Sequence, residues 1–474
     1  MLARIDSAVG QRVERLIAAH HTRRLNSLGK HDALDPPAGG WAATGWPPRR
    51  GNELEVYVDG AEALSQIADA IEAAESFVWL AGWYFSPDFR LSPESGPLRD
   101  VLARVADRVD VRLLAWAGAP FPVFHPDRRE VREVCAEFSE NTRVRVALDA
   151  HERPFHCHHE KTIVVDGKLA FVGGIDLTAY AGNRFDSNEH PARGAIGWHD
   201  ATTRIRGPAV GDIAAHFRTR WLEVTGEELP AVDAPGPAGE TELQIVRTVP
   251  EKIYRRMPRG EFTILESYLR ALRGAERLIY LENQFLWSPE IVAVLAERLR
   301  NPPDDRFRLL VLLPVKPNNG NDDTHGQLGV LAEADNGANR FLACTLYQVG
   351  KDGQPVYVHA KVGIVDDRWL TVGSANLNEH SLFNDTEMNV VAHDETLARS
   401  TRLRLWSEHL ELPIADIDRD PADVIDHEWR PRAHEQLELR DGGRPLTHRL
   451  LLLPQVSRRS NALRGPINSL LVDG

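Results

Sequence analysis

The motif His-x-Lys-x-x-x-x-Asp occurs twice in this chain, as HEKTIVVD (His159, Lys161, Asp166) and HAKVGIVD (His359, Lys361, Asp366), with the two histidines 200 residues apart. The spacing belongs to a wider duplication. AESFVWLAGWYFSP at 74–87 lines up with AERLIYLENQFLWSP at 275–289. RTRW, ending at Trp221, matches RLRLW, ending at Trp406. A chain repeated over this distance folds each half alike, and the expected result is a pseudo-two-fold molecule whose halves face each other. One His-x-Lys pair would be an ordinary surface strand. Two copies, each with the same aspartate, in register with a duplication have no structural reason to recur together.

The elements between these landmarks predict an α/β fold. Strands are expected at 53–58, 77–85, 109–116 and 143–148, with helices at 61–74, 97–108 and 126–139 between them and a closing helix at 210–224. The order starts again with strands at 243–246, 278–285 and 307–315 and helices at 262–273 and 290–299. Such alternation predicts a largely parallel sheet. Residues 2–28 read as an Arg-bearing amphipathic helix packed on its own domain. The Pro/Gly-rich, acidic stretch EELPAVDAPGPAGETE reads as a linker. The expected organisation is therefore a helix and linker at 1–50, a first unit at 51–226, a linker at 227–242, a second unit at 243–412 and an extension at 413–474. Within that extension Asp441-Gly442-Gly443 reads as a hairpin turn before the strand-like run 450–453.

The motif residues suit attack on a phosphodiester. The substrate is an anion, and two lysines facing one phosphate supply a preorganised positive clamp without a metal. One neutral histidine can attack phosphorus, and a second, protonated, can deliver its proton to the leaving alkoxide. On a strand, positions i and i+2 share a face, which puts His159 with Lys161 and His359 with Lys361. Asp166 and Asp366 belong to the motif, but each precedes a turn, and their expected work is local bonding that holds it. Seventeen residues after each histidine stands a polar group, Asp176 in GGIDL and Asn376 in GSANL. Asn376 can donate to a phosphate oxygen. An ionised Asp176 cannot, so it is protonated, turned away, or bound to a cation. Asp200 in GWHDATTRI and Glu387 in NDTEMNVV are candidates to hold the far ring nitrogens of the histidines, fixing tautomer and basicity.

With these residues in view the chain resembles the phospholipase D superfamily, on its phospholipase and phosphatidyltransferase branch. Besides the paired motifs, the strings FVGGIDL (171–177), NRFDSNEHP (183–191), WHDATTRIRGP (198–208), IYLENQF (279–285) and GSANLNEHS (373–381) are similar to segments of that family. The resemblance covers roughly residues 55–410. It implies two α/β/α sandwich lobes with the active site at their interface, and a phosphohistidine intermediate resolved by hydrolysis or transphosphatidylation. It also implies that His159 is the nucleophile, that His359 is the acid/base, and that Lys161, Lys361 and Asn376 hold the phosphate. The chain departs from the family at His380, where an arginine is common.

Other classes fit less well. A net charge of -13 argues against a protein that wraps nucleic acid, although a nuclease of the same superfamily would use the same four residues. A cardiolipin-synthase-like transferase shares the chemistry and differs only in the acceptor alcohol. His151, His156, His158 and His159 crowd one segment, but His159 belongs to the repeat and no second Cys/His cluster accompanies it, so no metal and no cofactor is expected. Three cysteines make no disulfide framework. No apolar run reaches the ~20 residues of a membrane span, and the first nineteen residues are broken by charges. The expectation is a cytoplasmic monomer that meets its phospholipid substrate by peripheral contact with a membrane surface.

Overall fold

The central strands of this chain are apolar on both faces, so each must be covered from two sides. In the strand Phe77–Gly82, Val78 and Leu80 point to one core while Trp79 and Ala81 point to another. In Leu278–Glu282, Ile279 and Leu281 go one way and Leu278 and Tyr280 the other. Three cores result. One lies under the helices Asp59–Glu72, Leu98–Ala106 and Arg128–Ser139 of the first half. A second lies under Thr263–Gly274, Pro289–Arg300 and Asn321–Asp335 of the second. The third joins residues of both halves, among them Trp79, Leu114 and Val164 with Tyr280, Leu310 and Ile364, together with Phe217 and Trp406 from the two closing helices.

The computed structural model describes residues 2–453 apart from 93, 122–123, 154, 179–196, 317–320 and 351–352. The segment NRFDSNEHP, singled out above, lies outside the described residues. Strands of the first half pair in the order Arg145–Asp149, Asp110–Trp116, Phe77–Gly82, Thr162–Val165, Leu169–Gly173, Ala201–Arg206, Arg49–Val58. Those of the second follow the same order of pairings: Phe341–Tyr347, Arg308–Leu312, Leu278–Glu282, Val362–Val365, Trp369–Gly373, Glu387–His393, Thr241–Val249. The two sets are joined. Arg49 pairs with Leu243, and Gly197–His199 runs parallel to Pro355–Val358.

The expected largely parallel sheet is corrected to a mixed one. Only the three strands linked by helices run parallel in each ordered set; the others are antiparallel. The physical reason is the motif itself. Its strand is followed at once by a tight turn at Asp166-Gly167, and a turn that short can join only antiparallel neighbours. Gly167 adopts φ +66° there, and a Cβ would meet Val232 at 2.3 Å.

The N-terminal helix spans Leu2–Leu28 and is tied down at its C-terminal end. Leu25 is buried in the second half's core, and Arg24 grips Glu251 with bonds of 2.7–3.1 Å. The stretch 227–240 carries no helix or strand. Asp441-Gly442-Gly443 is not a hairpin turn. It ends the helix Arg430–Asp441, where Gly443 at φ +66° lets the amide of Arg444 reach back to the carbonyl of Leu439 at 2.8 Å. The run Leu450–Leu452 then pairs with Phe341–Tyr347. No helix among the described residues is long and apolar enough to cross a membrane. Cys135, Cys157 and Cys344 are buried, and none of them forms a disulfide.

Candidate active site

The His-x-Lys part of each motif sits just ahead of a strand rather than on one. His159 and Lys161 precede Thr162–Val165, and His359 and Lys361 precede Val362–Val365. Backbone bonds to the other half fix them there. The amide of His159 donates to the carbonyl of Thr386 at 2.9 Å, and the amide of His359 donates to that of His199 at 2.7 Å. Each lysine folds back onto its own motif: Lys161 Nζ donates to the His159 carbonyl at 2.7 Å, and Lys361 Nζ donates to the His359 carbonyl.

The carboxylates expected to orient the histidines do touch them, and they do so across the halves. His159 Nδ1 lies 2.9 Å from Glu387 Oε1, and His359 Nδ1 lies 2.7 Å from Asp200 Oδ2. With Nδ1 facing a carboxylate, the tautomer and orientation of each ring are set from that side. All four side chains are buried. The two supports differ in detail. Glu387 accepts from the hydroxyls of Ser374 and Ser381, the latter at 2.6 Å. Burial nevertheless holds its carboxyl well above the ordinary range, against the pull of Lys161 and these hydroxyls. Asp200 packs instead against Gly174, where a Cβ would come within 2.2 Å of Asp200 Oδ1. Ser374 occupies the matching place in the second half.

Asp176 has a cationic partner: Lys161 Nζ stands 3.3 Å from its Oδ2. Asn376 donates to Gln284 Oε1 at 3.4 Å, and Lys361 Nζ donates to the same oxygen at 3.3 Å. Burial pushes Lys361 down to about 7, with Asp200 acting against that and Lys161 adding to it. Lys161, Asp200, Glu387 and Asp176 therefore all act on Lys361, which places the polar groups of both motifs in one electrostatic environment. The rings of Trp198 and Tyr357 lie 4.7 and 6.3 Å from that of His359.

Asp166 and Asp366 are not brought to the histidines. Each lies at the far end of its strand, about 16 Å along the chain from the motif lysine at ~3.3 Å per residue. Asp166 accepts from the amides of Glu75, Ser76 and Phe77, and Asp366 from those of Glu276, Arg277 and Leu278, at 2.7–3.0 Å. Their bonding is local: they hold the entries of the strands Phe77–Gly82 and Leu278–Glu282. The crowded histidines also separate. His158 Nε2 lies 3.1 Å from Asp149, while His156 turns toward His380 and Asp385.

Several residues of the site carry no signal of their own in the sequence. Gln284, Ser374 and Ser381 stand inside the strings IYLENQF and GSANLNEHS, but their contacts depend on the folded halves. Behind the site lie two buried polar networks. Arg220 binds Asp149 and Glu160, with His216 2.6 Å from Glu160. On the other side Glu282 lies between His199 at 2.8 Å and His409 at 2.9 Å. The cations hold Glu160 and Glu282 well below the ordinary carboxylate range despite burial.

A family model described as "Cardiolipin synthase, PLD-like domain" matches residues 312–406. Phospholipase D A of Dictyostelium discoideum is 26% identical over 484 residues, covering 81% of this chain and 37% of that protein. Phospholipase D alpha 4 of Arabidopsis thaliana is 23% identical, covering 72% and 62%. Cardiolipin synthase of Clostridium perfringens is also 23% identical, covering 75% and 70%. The chain thus spans between about a third and two thirds of the length of these phospholipases. Among solved structures, phosphatidylserine synthase of Haemophilus influenzae shares the fold with a TM-score of 0.52 at 12% identity, over 82% of this chain and 93% of that one. The paired motifs and these relatives together support a place for the chain in the phospholipase D superfamily.

Proposed function

We propose that this protein is a phospholipase D-type phosphodiesterase that cleaves the distal phosphodiester of a glycerophospholipid. The observation that carries the reading is the crossed pairing of His159 with Glu387 and His359 with Asp200, beside two buried lysines. His159 Nε2 attacks phosphorus, and a P–N bond forms as the P–O bond to the head group breaks. His359, protonated, gives its Nε2 proton to the departing alkoxide. It then takes a proton from water or an alcohol, whose oxygen attacks phosphorus and releases His159. Lys161, Lys361 and Asn376 hold the non-bridging oxygens, and the carboxylates on Nδ1 stabilise each imidazolium as it forms. Residues 51–226 and 243–412 are read as α/β/α lobes related by a pseudo-two-fold axis, and their crossed contacts explain why both are needed.

A second reading, phosphatidyl transfer as in a cardiolipin synthase, is favoured by the description of the matching family model and by the clostridial relative. The two readings share every residue and differ in the acceptor. The test is turnover of phosphatidylcholine and phosphatidylglycerol vesicles, with and without glycerol as acceptor, and with plasmid DNA alongside. Release of head group from either lipid supports the proposal. Cleavage of the plasmid with neither lipid touched would replace it by a nuclease.

A further inference from the structure

His156, His380 and Asp385 do none of this chemistry, yet they converge. His156 lies in the segment before the first motif. The other two flank the π-helical turn His380–Asn384 after the second. In that turn the amide of Asp385 bonds the carbonyl of His380 at 2.8 Å, which sets residues five apart one above the other. His156 Nδ1 lies 3.1 Å from His380 Nδ1 and 3.4 Å from Asp385 Oδ1. One ligand atom from each residue falls within 4.8 Å of the other two. A tetrahedral ion with bonds of about 2.0–2.1 Å keeps its donor atoms about 3.3 Å apart, close to both measured edges.

Two further observations point to a ligand. Asp385 is fully buried, and the second oxygen of its carboxylate, Oδ2, has no hydrogen-bond partner. Meanwhile Asp385 Oδ1 is oriented by the amide of Cys157 at 2.9 Å, the kind of outer support that ligating carboxylates carry. His156 keeps 16% of its side chain exposed, which leaves the cluster one side reached by solvent. The groups around His199, with Glu282 and His409 and with Asp59 and Glu408, differ: there the histidines close ion pairs on the carboxylates.

We propose that His156, His380 and Asp385 form a site for a divalent transition-metal cation of the zinc class, which pins the segment after the second motif to the segment before the first. Imidazole and carboxylate donors in this geometry suit Zn²⁺, Co²⁺ or Ni²⁺ rather than Ca²⁺ or Mg²⁺. The site adjoins the catalytic support without containing it. Ser381, next to His380, donates to Glu387, and Thr386, next to Asp385, holds the amide of His159.

The test uses the full, untagged chain stripped with a chelator and titrated with CoCl₂. The expected result is about one equivalent bound, with the visible absorption of a tetrahedral ion and a raised melting temperature. His156→Ala, at the partly exposed edge, should weaken that binding roughly tenfold or more while far-ultraviolet circular dichroism stays unchanged. Asp385→Asn, which keeps the shape and removes the charge, should weaken it too. Absence of saturable Co²⁺ uptake, or uptake undiminished in a folded His156→Ala chain, would overturn the proposal. None of these readouts uses turnover, so they stand apart from the lipid assay.

Discussion

Each candidate catalytic histidine depends on a single carboxylate, and the two carboxylates are not equivalent. Glu387 is buried, with its carboxyl raised above the ordinary range, so it must be ionised before it can hold His159 Nδ1–H. Activity should therefore fall as pH drops through that raised value. Glu387→Gln should lower kcat by about 10²-fold or more with folding intact, checked by single-turnover kinetics and circular dichroism. An unaltered kcat would remove Glu387 from the orienting role. Lys361 predicts the opposite limb. Burial brings it down to about 7, so in the free protein the clamp loses charge as pH rises past neutrality. A bound phosphodiester anion restores it. The pH profile of kcat/KM should bend down from about 7, and that of kcat at higher pH; a flat kcat/KM up to pH 9 would contradict this. Stability should move the other way. Between about 7 and 10 the unfolded chain keeps the proton that the folded one has released, so folding strengthens as pH rises across that window.

Among the elements, the closing helices carry more than packing. Ala209–Thr225 brings Arg220 and His216 under the first motif, and Glu395–Leu410 brings His409 under Glu282. Arg220 is fully buried and answers both Asp149 and Glu160. Arg220→Met should leave two buried carboxylates short of a partner, at a cost of about 3–5 kcal/mol in urea denaturation. A loss under 1 kcal/mol would mean that water or His216 replaces the guanidinium. The strand after each motif shows how local chemistry sets topology. Asp166 and Asp366 brace the entry of the neighbouring strand, and the turn beside each forces antiparallel pairing where helix alternation alone suggested parallel.

At the scale of the molecule, the central core draws on both halves, and the pairing of each histidine crosses between them. Unfolding should therefore be one transition, with activity, tryptophan fluorescence and circular dichroism lost together on heating. Two separable transitions would show that the halves stand independently. Trp406→Ala, in that shared core, should cost about 3–5 kcal/mol.

The duplication was legible because a repeat is a property of the string. It carried the paired His-x-Lys motifs and many of the helices and strands to within a few residues, though not the helix Asn321–Asp335 or the strand Phe341–Tyr347, and it singled out Asp200 and Glu387, which the fold brings against the histidines. Three things were not legible. The crossing of His159 to Glu387 and of His359 to Asp200 joins positions 228 and 159 residues apart. The choice between the three states of Asp176 depended on Lys161 lying 3.3 Å away. The meeting of His156 with His380 and Asp385 needed a π-turn and a second segment to complete it. Local spacing specifies which groups share a strand or a turn. Which partner each buried charge meets is settled only when desolvation forces every one of them to find the nearest opposite group in the packed chain.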